Sequence, residues 1–162
     1  MLFRSKDFST TDKMELLEMT LGDEKSDIAD QTRATCMASL PDPAIKATIW
    51  EELTDPKNTE SKKMKEAKRA GFYAINQVDI LTPYFEKFYD TLPVMQKQLS
   101  GLAFEPYFFT LLPRMQIEDR HIVKLVALKQ DTPDNDKAFM NVLQDGIELL
   151  LRSKQVRELC AQ

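Results

Sequence analysis

Apolar residues in this chain recur every three or four positions, and no stretch shows convincing alternation at every second position. That spacing lines one stripe of an α-helix, whereas a half-buried strand needs strict alternation. Met14, Leu17 and Leu21 fall at i, i+3 and i+7, and Gly22 follows where a helix C-terminus favours a left-handed residue. Ile28, Thr32, Cys36 and Leu40 continue every fourth residue, widened by Ala29 and Met37. Leu40-Pro41-Asp42-Pro43 then predicts a stop and a restart. Asp42 can accept from the first amides of the next helix, and Pro43 suits its first position, where a missing N–H costs nothing. Ile45, Ile49, Trp50 and Leu53 supply that helix's buried face, and a polar loop over 54–59 leads to a helix over 61–70 that ends at Gly71.

The second half repeats the pattern. Leu81, Phe85, Phe88 and Leu92 form one stripe, flanked by Tyr84 and Tyr89. Pro83 must lie in the first turn or kink the helix, because proline inside a helix removes a hydrogen bond. Pro93 opens a further helix that ends near Gly101, and 104–112 forms another before Pro113. Ile122, Leu125 and Val126 mark the next, and Thr132-Pro133 starts a long one carrying Phe139, Val142, Leu143, Ile147 and Leu150. Residues 72–78 read as a loop. The total is about eight to nine helices of about 11–12 residues. Short helices with tight connections stack as αα pairs, so the expected fold is an all-α superhelical array of short antiparallel helix pairs, HEAT- or armadillo-like, with a degenerate repeat. Residues 1–162 are expected to form a single domain, a length that buries about 70% of the unfolded surface.

Several function classes drop out. A net charge of −4 argues against nucleic acid as a partner. No run approaches the roughly 20 apolar residues of a membrane span, so no membrane partner is expected. Residues 1–7 lack a basic leader with an apolar core, so no signal peptide is read and the expected location is cytoplasmic, with Cys36 and Cys160 as reduced thiols. A catalytic zinc needs three protein ligands, and the chain has one histidine, His121. A Ser-His-Asp or Cys-His arrangement has the same single base. The neighbours Glu118, Asp119 and Arg120 place His121 in an exposed first helical turn, as a solvated residue. Glycines 22, 71, 101 and 146 are too scattered for a phosphate-binding loop. No catalytic residue and no metal ligand is therefore assigned. Lys62, Lys63, Lys65, Lys68 and Arg69, interrupted at helical spacing by Met64 and Ala67, read as the solvated face of one helix. Gly146 interrupts a good helix at a cost of about 1 kcal/mol relative to alanine, which close packing or a break between two helices would explain.

Ala38-Ser39-Leu40-Pro41-Asp42-Pro43-Ala44-Ile45-Lys46-Ala47-Thr48-Ile49-Trp50 resembles the L-P-(D/T)-x-x-x-K-x-x-x-W-x-x-L pattern in the C-terminal helical domain of aminopeptidase N-type zinc peptidases. The upstream segment Asp12-Lys13-Met14-Glu15-Leu16-Leu17-Glu18 shares the likeness, as does the whole of 30–53, which contains that core. Gly71-Phe72 and Gln77 resemble the family's G-F-x-x-x-x-Q loop. Leu81-Thr82-Pro83-Tyr84-Phe85-Glu86-Lys87-Phe88-Tyr89 resembles its L-x-P-Y-x-x-x-(Y/F)-(F/Y) segment. Asp145-Gly146 and Arg152 fall where the family shows E-G and an arginine, and the likeness extends over residues 14–158. Met140-Asn141, where the family commonly has basic residues, and the polar stretch 55–60 depart from the pattern.

The resemblance implies a non-catalytic domain, a curved superhelix that covers the catalytic cleft and bounds the peptide chamber. The H-E-x-x-H motif, the distal Glu and the G-A-M-E-N-like stretch belong to the family's catalytic domain, so zinc is implied for a parent protein and no cofactor for this chain. The partners implied are a peptide substrate and that catalytic domain. Residues 1–10 become the remnant of a preceding helix or a flexible start. Arg152 becomes the candidate peptide-binding residue, able to hold a substrate's free C-terminal carboxylate through two parallel hydrogen bonds. The competing reading for Arg152 is an i,i+4 pair with Glu148 on a solvated face. The competing reading for the whole chain is a stand-alone helical-repeat adaptor that binds another protein through its concave face.

Overall fold

The computed structural model describes residues 2–55, 57–99 and 101–160. All regular structure among them is helical: α1 (Thr10–Leu21), α2 (Asp27–Ala38), α3 (Pro43–Thr54), α4 (Lys62–Phe72), α5 (Val78–Gln98), α6 (Gly101–Leu111), α7 (Asp119–Gln130) and α8 (Lys137–Cys160). One-turn 3-10 segments occupy Leu2–Arg4 and Ile75–Gln77. The chain is an all-helical array, as the apolar spacing predicts. Among the described residues no helix is long and apolar enough to cross a membrane. Two compact units divide it, Met1–Thr82 and Pro83–Gln162.

Short polar side chains set the helix starts by satisfying amides that have no intrahelical acceptor. Ser9 accepts from the Asp12 amide while Asp12 accepts from the Ser9 amide, a reciprocal capping box. Ser26 and Ser61 accept from Ala29 and Met64, and Asp42 accepts from Ala44 and Ile45 with Pro43 in the first turn. Gly22 ends α1 at φ +51, a conformation that side-chain-bearing residues resist.

In the first unit, α2 packs most extensively on α4. The expected stripe through Ile28 and Thr32 is corrected here: Ile28 is 74% exposed, and the buried line runs through Ala29 and Ala38. At Ala38 a small residue fits because α4 approaches closely there. An added Cβ on Gly71 would lie 2.3 Å from the Thr35 carbonyl oxygen and 3.0 Å from the Ala38 Cβ. Trp50, Leu53, Leu40 and Phe72 fill the core beside this contact, with the Trp50 and Phe72 rings 5.6 Å apart. Residues near the start are held against the same unit: Arg4 donates to the Ala70 carbonyl at 3.3 Å, and Lys6 pairs with Asp79 at 2.8 Å.

In the second unit, α8 packs on α7 and α6. Its aromatic core sets Phe104 against Phe139 at 4.9 Å and Phe88 against Phe108 at 5.6 Å. Of the two explanations for Gly146, close packing holds. α8 runs unbroken for 24 residues, and a Cβ on Gly146 would meet the Phe108 ring at 2.5 Å. The expected helix start at Pro93 does not occur: α5 runs for 21 residues through both Pro83 and Pro93. Both rings occupy exposed positions, so the hydrogen bonds they remove are lost on the side where water can replace them. Gly101 opens α6 instead of closing a helix, because the interruption falls after Gln98.

Candidate functional site

His121 departs most sharply from its sequence expectation. α7 begins at Asp119, so the histidine does sit in a first turn, but it is 1% exposed rather than solvated. That turn faces the interior because Glu86 on α5 offers a carboxylate: Glu86 Oε1 lies 2.9 Å from His121 Nε2. The imidazole stacks on Tyr89 at 5.0 Å and 18°. Glu86 Oε2 accepts from Lys124 at 2.7 Å, and Arg120 reaches Oε1 at 3.2 Å. The Lys124 and His121 hydrogen bonds, in that order, hold the Glu86 carboxyl at about 2, well below its ordinary range. Glu86 in turn raises Lys124, and burial pushes the Tyr89 phenol up.

A histidine oriented by a carboxylate is half of an acid–base pair, and it becomes catalytic when its other nitrogen faces a substrate. Here Nδ1 is enclosed with no partner among the described residues. The arrangement therefore braces α5 against α7. It has a titration consequence. A carboxyl whose folded value lies below its unfolded one contributes stability that is complete above about pH 4.3 and lost as pH falls through the folded value. Thermal melts of the wild type and Glu86→Gln between pH 2 and pH 7 should show the wild type's advantage shrinking from about pH 4.5 downward. A difference independent of pH would show that the brace does not depend on the carboxylate's charge.

The basic run on α4 divides. Lys62 and Lys63 are exposed, whereas Lys68 and Arg69 are each 8% exposed, which corrects the single solvated face. α4 has few apolar residues for its inner side, so the Lys68 stem covers that side and its ammonium meets Glu52 at 2.8 Å and Glu60. Burial works to lower the Lys68 pKa, but the hydrogen bonds it donates to Glu52 and Glu60, with their charges, outweigh it and leave the group raised. Arg152 lies on α8 with its side chain 75% exposed and donates to Glu148 Oε2 at 2.9 Å. The single histidine is committed to Glu86, and no three potential ligands converge among the described residues.

The positions that carry the family resemblance do converge. Lys46 is fully buried, and its Nζ donates to the Ala38 carbonyl at 2.6 Å and the Phe72 carbonyl at 2.5 Å, the last residues of α2 and α4. Burial, with the nearby Arg4 charge, pulls the Lys46 pKa down to about 7. Gln77, also fully buried, donates to the Ser39 carbonyl at 2.9 Å and the Arg4 carbonyl at 3.2 Å. Lys46, Gly71, Phe72 and Gln77 thus meet at one junction with Trp50 packed beside it. The reading of α3 placed Ile45 on the inner face and missed Lys46. The signal was present, since 46, 49, 50 and 53 fall at i, i+3, i+4 and i+7. No protein-family model matches the chain, and no curated protein matches it in sequence.

Proposed function

We propose that the chain is the helical domain that closes over the cleft of an aminopeptidase N-type zinc peptidase, bounding the chamber that holds a peptide while its N-terminal residue is removed. The observation that carries this reading is the junction in the first unit. Leu40, Lys46, Trp50, Phe72 and Gln77, drawn from the residues that resemble the family's L-P-D…K…W and G-F…Q patterns, lie up to 37 positions apart and are buried in the same unit. In a peptidase of this kind the metal activates water in the catalytic domain. This chain contributes a wall and contacts to the substrate's far end.

Arg152 is the side chain suited to that contact. Its exposed pair with Glu148 contributes only about 0.3–0.5 kcal/mol, so a substrate carboxylate can displace it at small cost. The reading is tested first at the gene: an open frame continuous with Met1 and containing H-E-x-x-H supports it, and an in-frame stop just before Met1 overturns it. In the full-length parent, Arg152→Ala is expected to raise KM for free-acid peptides about tenfold, the loss of one charged hydrogen-bond pair, and to leave the C-terminal amides unchanged. Equal effects on acids and amides would leave Arg152 as a surface residue.

A further inference from the structure

The second unit contains a cavity of about 550 Å³ that neither the Glu86 brace nor Arg152 uses. It opens among the end of α5, α6 and the first half of α8. Phe104, Phe139 and Val142 form an apolar floor, and Leu102 stands at its edge with 88% of its surface exposed. Among the described residues the charged groups that line it are all carboxylates, Glu105, Asp136 and Asp145. Asp136 is occupied in capping α8 at the Phe139 amide and in accepting from Gln96. Glu105 and Asp145 are exposed and have no hydrogen-bond or ion-pair partner among the described residues.

A single exposed leucine or a single unpaired carboxylate is ordinary on a protein surface. Their combination is not. The volume is that of a ligand site, the floor is apolar, and the unpaired charges share one sign on two different helices that flank the floor. An anionic ligand would be repelled, and a purely apolar one would leave both carboxylates without a counter-charge. A ligand that fills the floor while presenting a cation to each side satisfies every group, and a polypeptide supplies that spacing.

We infer that this cavity docks a basic peptide segment of another protein, with an aromatic or large aliphatic side chain on the Phe104–Phe139 floor and lysine or arginine side chains against Glu105 and Asp145. The site grips cations and does not depend on the peptidase reading, in which Arg152 grips a carboxylate.

The test uses the full chain and a fluorescein-labelled dodecapeptide with a central Phe-Leu pair and two lysines or arginines on each side, followed by fluorescence anisotropy. One control peptide replaces the basic residues with glutamate, and another replaces Phe-Leu with serines. Saturable binding of the first peptide alone, weakened by added salt, is expected. Asp145→Lys and Glu105→Lys should each raise Kd about tenfold, and Leu102→Ser should weaken binding without changing its salt dependence. Circular dichroism checks that each variant folds, and where a reversal does not fold, Asp145→Asn or Glu105→Gln gives the same comparison. Equal binding of the basic and acidic peptides, or charge variants that bind like the wild type, would overturn the proposal. So would sedimentation velocity showing self-association that Asp145→Lys abolishes, because the occupant would then be a second copy.

Discussion

A chain carrying Gly71→Ala is expected to lose about 3 kcal/mol of stability, although alanine is the better helix former by about 1 kcal/mol. The reason is the neighbour the new methyl would meet. Its Cβ would lie 2.3 Å from the Thr35 carbonyl oxygen, which is backbone inside α2 and cannot swing aside. Relief requires α4 to move away from α2. That movement would stretch the hydrogen bond from Thr35 Oγ1 to the Ala67 carbonyl and pull the Phe72 carbonyl from Lys46. Trp50 is the only tryptophan and packs on Phe72, so its fluorescence reports this unit selectively during urea unfolding. Gly22→Ala is the comparison without a steric contact: nothing lies within 4 Å of the added Cβ, and only the backbone at φ +51 and ψ −137 opposes it, at about 1–3 kcal/mol. A Gly71→Ala midpoint equal to the wild type's would mean that α2 and α4 are not in close contact in solution.

Trp50→Ala should cost about 3–5 kcal/mol, a large share of the about 5–15 kcal/mol that holds a domain folded. Trp50 is 5% exposed and its ring packs 5.6 Å from that of Phe72, whose carbonyl is one of the two acceptors for Lys46. Removing the indole leaves a void next to a buried amine, where entering water would compete for those carbonyls. With a typical urea dependence of about 2 kcal/mol per molar, the midpoint should fall by about 2 M, read by circular dichroism because the fluorophore is gone. Trp50→Phe keeps a ring against Phe72 and should cost less. If Trp50→Ala melts like the wild type, the side chain is a surface anchor rather than core.

Much of the fold was legible because it rests on local chemistry. The Asp42-Pro43 start of α3, the ends at Gly22 and near Gly71, and the burial of Trp50 and Leu53 follow from capping geometry and helical spacing, which act within a few residues. The candidate site was far less legible. His121, with charged neighbours on one side, reads as solvated, and only the Glu86 carboxylate, 35 positions away in sequence, makes it a buried brace. Lys68 reads as part of a solvated face until Glu52 and Glu60 close on it from α3 and the loop beyond.

The all-α class and the capped starts at Ser9, Ser26, Asp42 and Ser61 were determined by the sequence alone, because each depends on interactions within about one turn. Three other matters were decided only by tertiary structure. Exposure of Ile28, against the expected stripe, depends on which side of α2 faces the rest of its unit. The passage of α5 through Pro83 and Pro93 depends on which side of that helix faces water. The choice between packing and a break at Gly146 depends on the Phe108 ring that fills the space above it. None of these is set by sequence neighbours: the fold decides which face of a helix meets water and which meets a packed group distant in the chain, such as Phe108 at Gly146.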